Sequence, residues 1–195
     1  MRTDIRFYSG RVSLSEELER VAGRAAAHGE DGDVVSGVIA TEQAPGRRVY
    51  LCAFDGADGY RSWLALREDG AVVGDRAELR AAVSIAALCE VAEDAAGGGA
   101  LDTLIERLEE VRRRESPPGI EEAQEAAHVL RVLIGEPPQV ATPERLDAIG
   151  AATRRLEQEL DPSGGSPFAS AMRSSQGAVS ELQREIEAGY RVPLR

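Results

Sequence analysis

The fold is decided by the segment that runs Val49-Tyr-Leu-Cys-Ala-Phe-Asp-Gly-Ala-Asp-Gly-Tyr-Arg-Ser-Trp-Leu-Ala-Leu-Arg67. Residues 49–54 are apolar at nearly every position, which predicts a strand that is covered on both faces at the centre of a sheet. Residues 60–67 predict a second strand of the same kind. The loop 55–59 between them is too short for a crossover helix, so we expect the two strands to be antiparallel neighbours.

Elements on either side of this segment complete a small sheet domain. Residues 34–40 predict a third strand, and the Asp69-Gly70 hairpin signal predicts a short fourth strand over 71–73. A helix over 13–29 begins with Ser13 and Glu16 at the spacing of a capping box.

A longer helix is predicted over 75–96, and its middle is apolar all round. A helix of that kind is buried on several sides. We interpret it as a hub that packs on the sheet, receives the later helices and is the most buried element of the chain.

The pattern after residue 99 is helical to the end of the chain. Amphipathic periodicity predicts four helices, over 101–111, 120–134, 142–160 and 166–186. The predicted fold class is therefore α+β, a small antiparallel β-sheet with two helices followed by a C-terminal four-helix bundle-like region. We expect two domains: an α+β sheet domain with the hub helix over 1–97, and a helical domain packed on that helix over 99–195.

Charge in this chain is acidic and evenly spread. There are 34 Asp and Glu against 23 basic residues, all Arg, for a net charge of -11. The one basic run, Arg112-Arg113-Arg114, closes a predicted helix and is flanked by Glu. Phosphate neutralisation needs a net basic face, so we expect no nucleic-acid partner. The absence of Lys excludes Schiff-base and P-loop lysine chemistry.

The longest strongly apolar stretch covers residues 81–89. A bilayer span needs roughly 20 residues, and charged residues recur from the N-terminus to Arg24, which leaves no core for a signal peptide. We therefore expect a cytoplasmic protein with no membrane partner. In that compartment Cys52 and Cys89 are predicted to be reduced and buried.

The loop after the central strand is the first candidate site. It gathers Asp55 and Asp58 with two glycines and leads into Tyr60. It falls short of a calcium loop, which needs more oxygen ligands and a downstream Glu, and Asp and Gly are also ordinary loop residues. Exposed loops on a rigid sheet often carry contacts, so we predict Asp55, Asp58 and Tyr60 as partner-binding residues.

A second candidate lies before the last predicted helix. Ser163-Gly-Gly-Ser166 precedes a helix amino end, where backbone N–H groups can hold an anion, and Arg173 follows about two turns on. We predict Ser166 and Arg173 as an anion-binding pair, with a plain linker as the alternative.

Metal and catalytic signals are sparse. Glu125 and His128 have the Glu-x-x-His spacing that di-iron bundles use twice, but the chain has it once, since His28 lacks the matching Glu. We expect no metal, no cofactor and no catalytic residue.

Two classes of function stay open. The first is a non-catalytic regulatory or protein–protein interaction module, whose partner is another protein or a second copy of the chain in a homodimer. The alternative is a small-molecule-binding protein or enzyme that uses carboxylates and arginines in a pocket between sheet and helices. The sequence resembles no family that would decide between them.

Overall fold

The chain is α+β, as the sequence predicts. A computed structural model describes residues 16–97, 100–135 and 140–191. That part of the chain holds three strands, β1 (Val34–Glu42), β2 (Arg48–Asp55) and β3 (Arg61–Arg67). It also holds seven helices: α1 (Glu16–Ala26), α2 (Arg76–Ala95), α3 (Leu101–Arg114), α4 (Ile120–Ile134), α5 (Pro143–Leu160), α6 (Pro167–Ser174) and α7 (Gln176–Gly189).

The sheet has the order β1-β2-β3, and both strand pairs are antiparallel. This confirms β2 as the central strand. Val34 pairs with Asp55, and Asp55 pairs in turn with Arg61. An irregularity in register separates Val35 from Gly37.

Both faces of the sheet are covered by helices. Alternate residues of β2 point to opposite faces, so Tyr50, Cys52 and Phe54 lie in one core cluster with the buried residues of α1. Leu51 and Ala53 lie in a second cluster with residues of α2 and α7. Within the described residues α1 begins at Glu16, and the predicted cap Ser13 lies outside them.

The predicted fourth strand is reduced to a single bridge between Val72 and Leu66. The turn before it has the expected chemistry: Gly70 has φ +86°, and the Ala71 N–H donates to Asp69 Oδ1 over 2.9 Å. Further along the same edge of β3, Tyr190 makes a parallel bridge to Trp63.

The chain divides into two compact units. The first contains α1, the sheet, α2 up to Ala87, and α7 from Gly177. The second contains α2 from Leu88, α3, α4, nearly all of α5, and α6; its core includes Leu101, Leu130 and Ile149, all fully buried. The division into domains over 1–97 and 99–195 stays a prediction.

The most buried element is β2, not the helix predicted as the hub. Six of the eight β2 residues are buried, against eight of the twenty α2 residues. A central strand between two helical layers has no exposed side, whereas α2 exposes Arg76, Arg80 and Asp94.

The last predicted helix is two helices, α6 and α7, and this corrects the sequence interpretation. They meet at Ser175, whose hydroxyl donates to the Met172 carbonyl oxygen over 2.9 Å, while the Ser174 hydroxyl donates to Ala171. Serine side chains that bond to the preceding turn compete with helical hydrogen bonds. Helix α6 belongs to the second unit, whereas Leu182 and Ile186 of α7 pack on the sheet in the first unit.

Candidate functional site

Two loops meet at one end of the sheet, and we call residues 30–34 and 55–61 together the loop end. The register places Val34 of β1 beside Asp55, and Asp55 beside Arg61. A Cβ atom built on Gly32 would lie 3.4 Å from Ala57 Cβ, which is ordinary contact distance. The α1–β1 loop and the β2–β3 loop therefore form one continuous surface.

The three predicted partner-binding residues all lie on this surface. The Asp55 carboxylate accepts two hydrogen bonds from the Arg61 guanidinium, at 2.7 and 3.1 Å. This pairing holds the pKa of Asp55 below its usual value. Asp58 Oδ1 accepts the Tyr60 N–H over 3.0 Å, and the Tyr60 residue is 77% exposed.

The loop that carries Tyr60 is held by its own hydrogen bonds. The Gly56 N–H donates to the Tyr60 carbonyl oxygen over 2.9 Å, and the Gly59 N–H donates to Gly56 over 3.0 Å. Gly59 has φ +80°, a conformation that favours glycine. A Cβ atom on Gly56 would lie 2.6 Å from Asp58 Oδ1, so a larger residue there would displace the Asp58 side chain that accepts the Tyr60 N–H. Tyr60 is therefore presented to solvent by an ordered turn.

Val34 is a member of this surface that the sequence interpretation missed. It is 64% exposed, although it begins a strand whose later residues are largely covered. Val34 lies about two strand spacings, or about 10 Å, from Arg61, the residue that follows Tyr60. The available signal was its position directly after the Asp31-Gly32-Asp33 turn, where a strand starts beyond its covering helix.

The charge of the loop end is negative. Its five carboxylates belong to Glu30, Asp31, Asp33, Asp55 and Asp58. Two of them form ion pairs, Asp55 with Arg61 and Asp33 with Arg191. The Arg191 guanidinium, together with the Glu30 N–H, holds the pKa of Asp33 below its usual value. The carboxylates of Glu30, Asp31 and Asp58 are exposed and add net negative charge.

The predicted anion-binding residue Ser166 lies at the N-cap of α6, where its hydroxyl accepts the Ala169 N–H over 3.1 Å. The same helix end binds the carboxylate of Glu157 from α5. Glu157 Oε1 accepts the Phe168 N–H over 2.8 Å, and Oε2 accepts the Ser166 hydroxyl over 2.5 Å. An internal carboxylate therefore occupies the place that an external anion would take.

Arg173, the other member of that pair, lies in the last turn of α6 and is exposed. At 1.5 Å per residue it is about 10 Å along the helix from Ser166. The structure does not bring the two side chains together, and anion binding by them stays a prediction.

The Glu-x-x-His pair also lies apart from any ligand cluster. Glu125 is ion-paired with Arg155 over 2.8 Å, and His128 is exposed on α4. Across residues 16–97, 100–135 and 140–191, no three His, Cys, Asp or Glu side chains are arranged to hold a metal ion. In the same ranges no helix combines the length and the apolar character that a bilayer crossing requires.

A small cavity of about 90 Å³ lies in the first unit, between the start of α2 and the end of α7. Its charged members are Asp75, Arg76 and Glu187. Glu187 is ion-paired with Arg80, which lowers the pKa of the Glu187 carboxyl. Asp75 accepts the Ala77 N–H over 2.8 Å and so caps α2. Pockets for organic ligands usually measure about 300–1,000 Å³.

A cluster of titratable groups joins α1 to the start of β2. Arg48 contacts both Glu17, over 2.7 Å, and Glu42, over 2.9 Å. The Tyr50 hydroxyl donates to Glu17, and these contacts hold the pKa of both carboxyls low. Because each named group has a partner within the cluster, its evident role is to hold α1 on the sheet.

Comparison with known proteins adds no relative: no protein-family model matches the chain, and neither a curated protein nor a solved structure shows significant similarity to it. The loop end combines two exposed apolar side chains with negative charge and an ordered turn.

Proposed function

We propose that this chain is a non-catalytic protein-interaction module and that the loop end is its docking surface. The observation that carries the proposal is the joint exposure of Tyr60, at 77%, and Val34, at 64%, on one end of the sheet. Tyrosine is enriched among the residues that dominate binding energy at protein interfaces. The backbone around Tyr60 is already ordered by hydrogen bonds, so binding has only the side chain to order, which favours affinity.

The partner in this proposal is another protein. The negative charge of the loop end disfavours nucleic acid, since phosphate contacts require a basic surface. Exposed apolar side chains accompanied by exposed carboxylates fit a protein interface, whose rim is polar. The cytoplasmic location predicted from the sequence is part of the same proposal.

A small-molecule-binding protein or enzyme is the weaker alternative. One candidate pocket, within the described residues, is the cavity of about 90 Å³ beside Asp75 and Glu187. That volume lies well below the usual range for organic ligands, and its charged groups already serve as a helix cap and an ion pair.

Photo-crosslinking tests the proposal directly. A photoreactive amino acid is placed at position 60 in cells that naturally contain the chain, and at position 132 as a matched control. Val132 is 74% exposed, close to the exposure of Tyr60, but lies on α4. We expect one protein to crosslink from position 60 and not from position 132.

The variant Val34→Asp provides the second control. It replaces an exposed apolar side chain of the loop end with a further negative charge, so it should abolish the crosslink from position 60 without affecting the fold. A crosslink that persists in Val34→Asp, or equal products from positions 60 and 132, would contradict a docking surface at the loop end. A product twice the mass of the chain would show self-association and would contradict a separate partner.

A further inference from the structure

The C-terminal segment reaches the loop end from the other side of the sheet. The Arg191 N–H donates to the Trp63 carbonyl oxygen over 2.9 Å, next to the parallel bridge between Tyr190 and Trp63. The Tyr190 ring packs with the α2 and α7 face of the sheet, and its hydroxyl donates to the Val73 carbonyl oxygen. The backbone of this segment is therefore fixed along the outer edge of β3.

The Arg191 side chain turns towards the opposite face. Its guanidinium carbon lies 5.2 Å from the centroid of the Phe54 ring, which belongs to the cluster with α1. Its Nη1 donates to Asp33 Oδ2. The Asp33 side chain is 7% exposed and that of Arg191 is 23% exposed, so the pair is partly withdrawn from water and little screened.

Asp33 in turn contacts both loops of the loop end. Its Oδ2 also accepts the Glu30 N–H over 2.9 Å, and its own N–H donates to the Glu30 carbonyl oxygen over 3.0 Å. Its Oδ1 lies beside Gly56, where an added Cβ would be 3.3 Å away. One carboxylate therefore fixes the turn before Val34 and abuts the turn that carries Tyr60.

We propose that Arg191 is a positioning residue for the loop end, which it acts on through Asp33. This inference rests on the proposed function, because positioning matters only if the surface binds. The contact joins residues 158 positions apart in the chain. It makes the arrangement of Val34 and Tyr60 depend on whether the C-terminal segment is seated on β3.

Amide hydrogen exchange of the full chain tests this without a partner. In Arg191→Ala we expect the amides of Glu30, Gly56 and Gly59 to exchange at least about fivefold faster. The variant lacks the ion pair with Asp33, so local opening of the loops no longer has to break it. The Leu51 amide in β2 should keep its rate. Arg191→Lys retains a cation that can reach Asp33 and should restore part of the protection.

Arg80→Ala is the matched control, because it removes another arginine–carboxylate pair of the same unit, between α2 and α7. It should leave the loop-end amides unchanged. Unchanged exchange at Glu30, Gly56 and Gly59 in Arg191→Ala would overturn the proposal. Equal acceleration in Arg80→Ala, or acceleration at Leu51 as large as at the loops, would also overturn it by showing general destabilisation.

Failure of this inference can be told apart from failure of the proposed function. Exchange at the loop end reports on Arg191 whether or not a partner exists, while crosslinking from position 60 reports on the partner with Arg191 intact. If both hold, the protein captured from position 60 should bind Arg191→Ala at least about threefold more weakly than Arg80→Ala. Equal affinities for the two variants would remove the positioning role.

Discussion

The hydroxyl of Tyr50 donates a 2.5 Å hydrogen bond to Glu17 Oε1, and this contact joins the central strand β2 to helix α1. Tyr50 is fully buried. Arg48 donates to the same carboxylate oxygen over 2.7 Å. A buried hydroxyl beside an ionised carboxylate and a guanidinium makes a charge-assisted hydrogen bond, which is stronger than a neutral one.

Replacing Tyr50 by Phe removes that hydroxyl and retains the ring. Hydrogen bonds to charged groups contribute about 1.5–3 kcal/mol, so we expect Tyr50→Phe to lower the free energy of unfolding by an amount in that range. Urea denaturation of wild type and Tyr50→Phe measures this difference in the free energy of unfolding. Tyr60→Phe, at the exposed loop end, is the matched control and should change the value by less than about 0.5 kcal/mol. Equal values for the two variants would show that the contact with Glu17 contributes nothing.

Tyr50 should also govern stability at high pH. Burial, and secondarily the hydrogen bond to Glu17, raises the pKa of Tyr50 to about 12, whereas an unfolded tyrosine ionises near about 10. Because the folded pKa is the higher one, this stabilisation is complete below about pH 10 and is lost as pH rises through 12. The difference in tyrosinate absorbance between wild type and Tyr50→Phe measures the pKa. A value near 10 would be inconsistent with the buried pair.

The apolar side of α2 gives a third prediction. Ile85 is buried, and truncation of an enclosed aliphatic side chain costs about 2–5 kcal/mol. We expect Ile85→Ala to fall in that range, while Val132→Ala, at an exposed position, should change the free energy of unfolding by less than about 0.5 kcal/mol. Leu88 is only half-buried, so Leu88→Ala should cost less than Ile85→Ala. An Ile85→Ala cost under about 1 kcal/mol would refute the packing described for α2.

The contact between Glu157 and the start of α6 gives a fourth prediction. Glu157→Ala leaves the Phe168 N–H and the Ser166 hydroxyl without their carboxylate partner. Loss of such a helix-end contact costs about 0.5–2 kcal/mol. Glu159→Ala, on the same helix but exposed, should be nearly neutral in thermal or urea unfolding. A Glu157→Ala variant as stable as Glu159→Ala would mean that the carboxylate does not cap α6.

The sheet could be predicted from the sequence because its signals are local. Residues 49–54 form a short apolar run between turn signals, as expected of a strand covered on both faces, and short loops leave no room for parallel connections. The break at Ser175 was missed because it depends on serine hydroxyls that bond to the preceding turn, and apolar periodicity continues through it. The helical pattern alone therefore predicted one helix instead of two.

The candidate site could be predicted only in part. Asp55, Asp58 and Tyr60 carry a visible signal, since they form a polar loop after a buried strand. The Asp33–Arg191 pair joins residues 158 positions apart, and no pattern in a single sequence links them. Glu157 was missed at the start of α6 for a similar reason, because local patterns predict that a helix end can bind an anion but not that another helix supplies a carboxylate.

The central claim, that the loop end is a docking surface, is tested most directly by calorimetric titration of the protein captured from position 60. Wild type, Tyr60→Ala and Val132→Ala are compared with the purified partner. We expect Tyr60→Ala to weaken binding at least about tenfold, or about 1.4 kcal/mol, and Val132→Ala to stay within about twofold of wild type. Equal affinity of all three for the partner would contradict that claim.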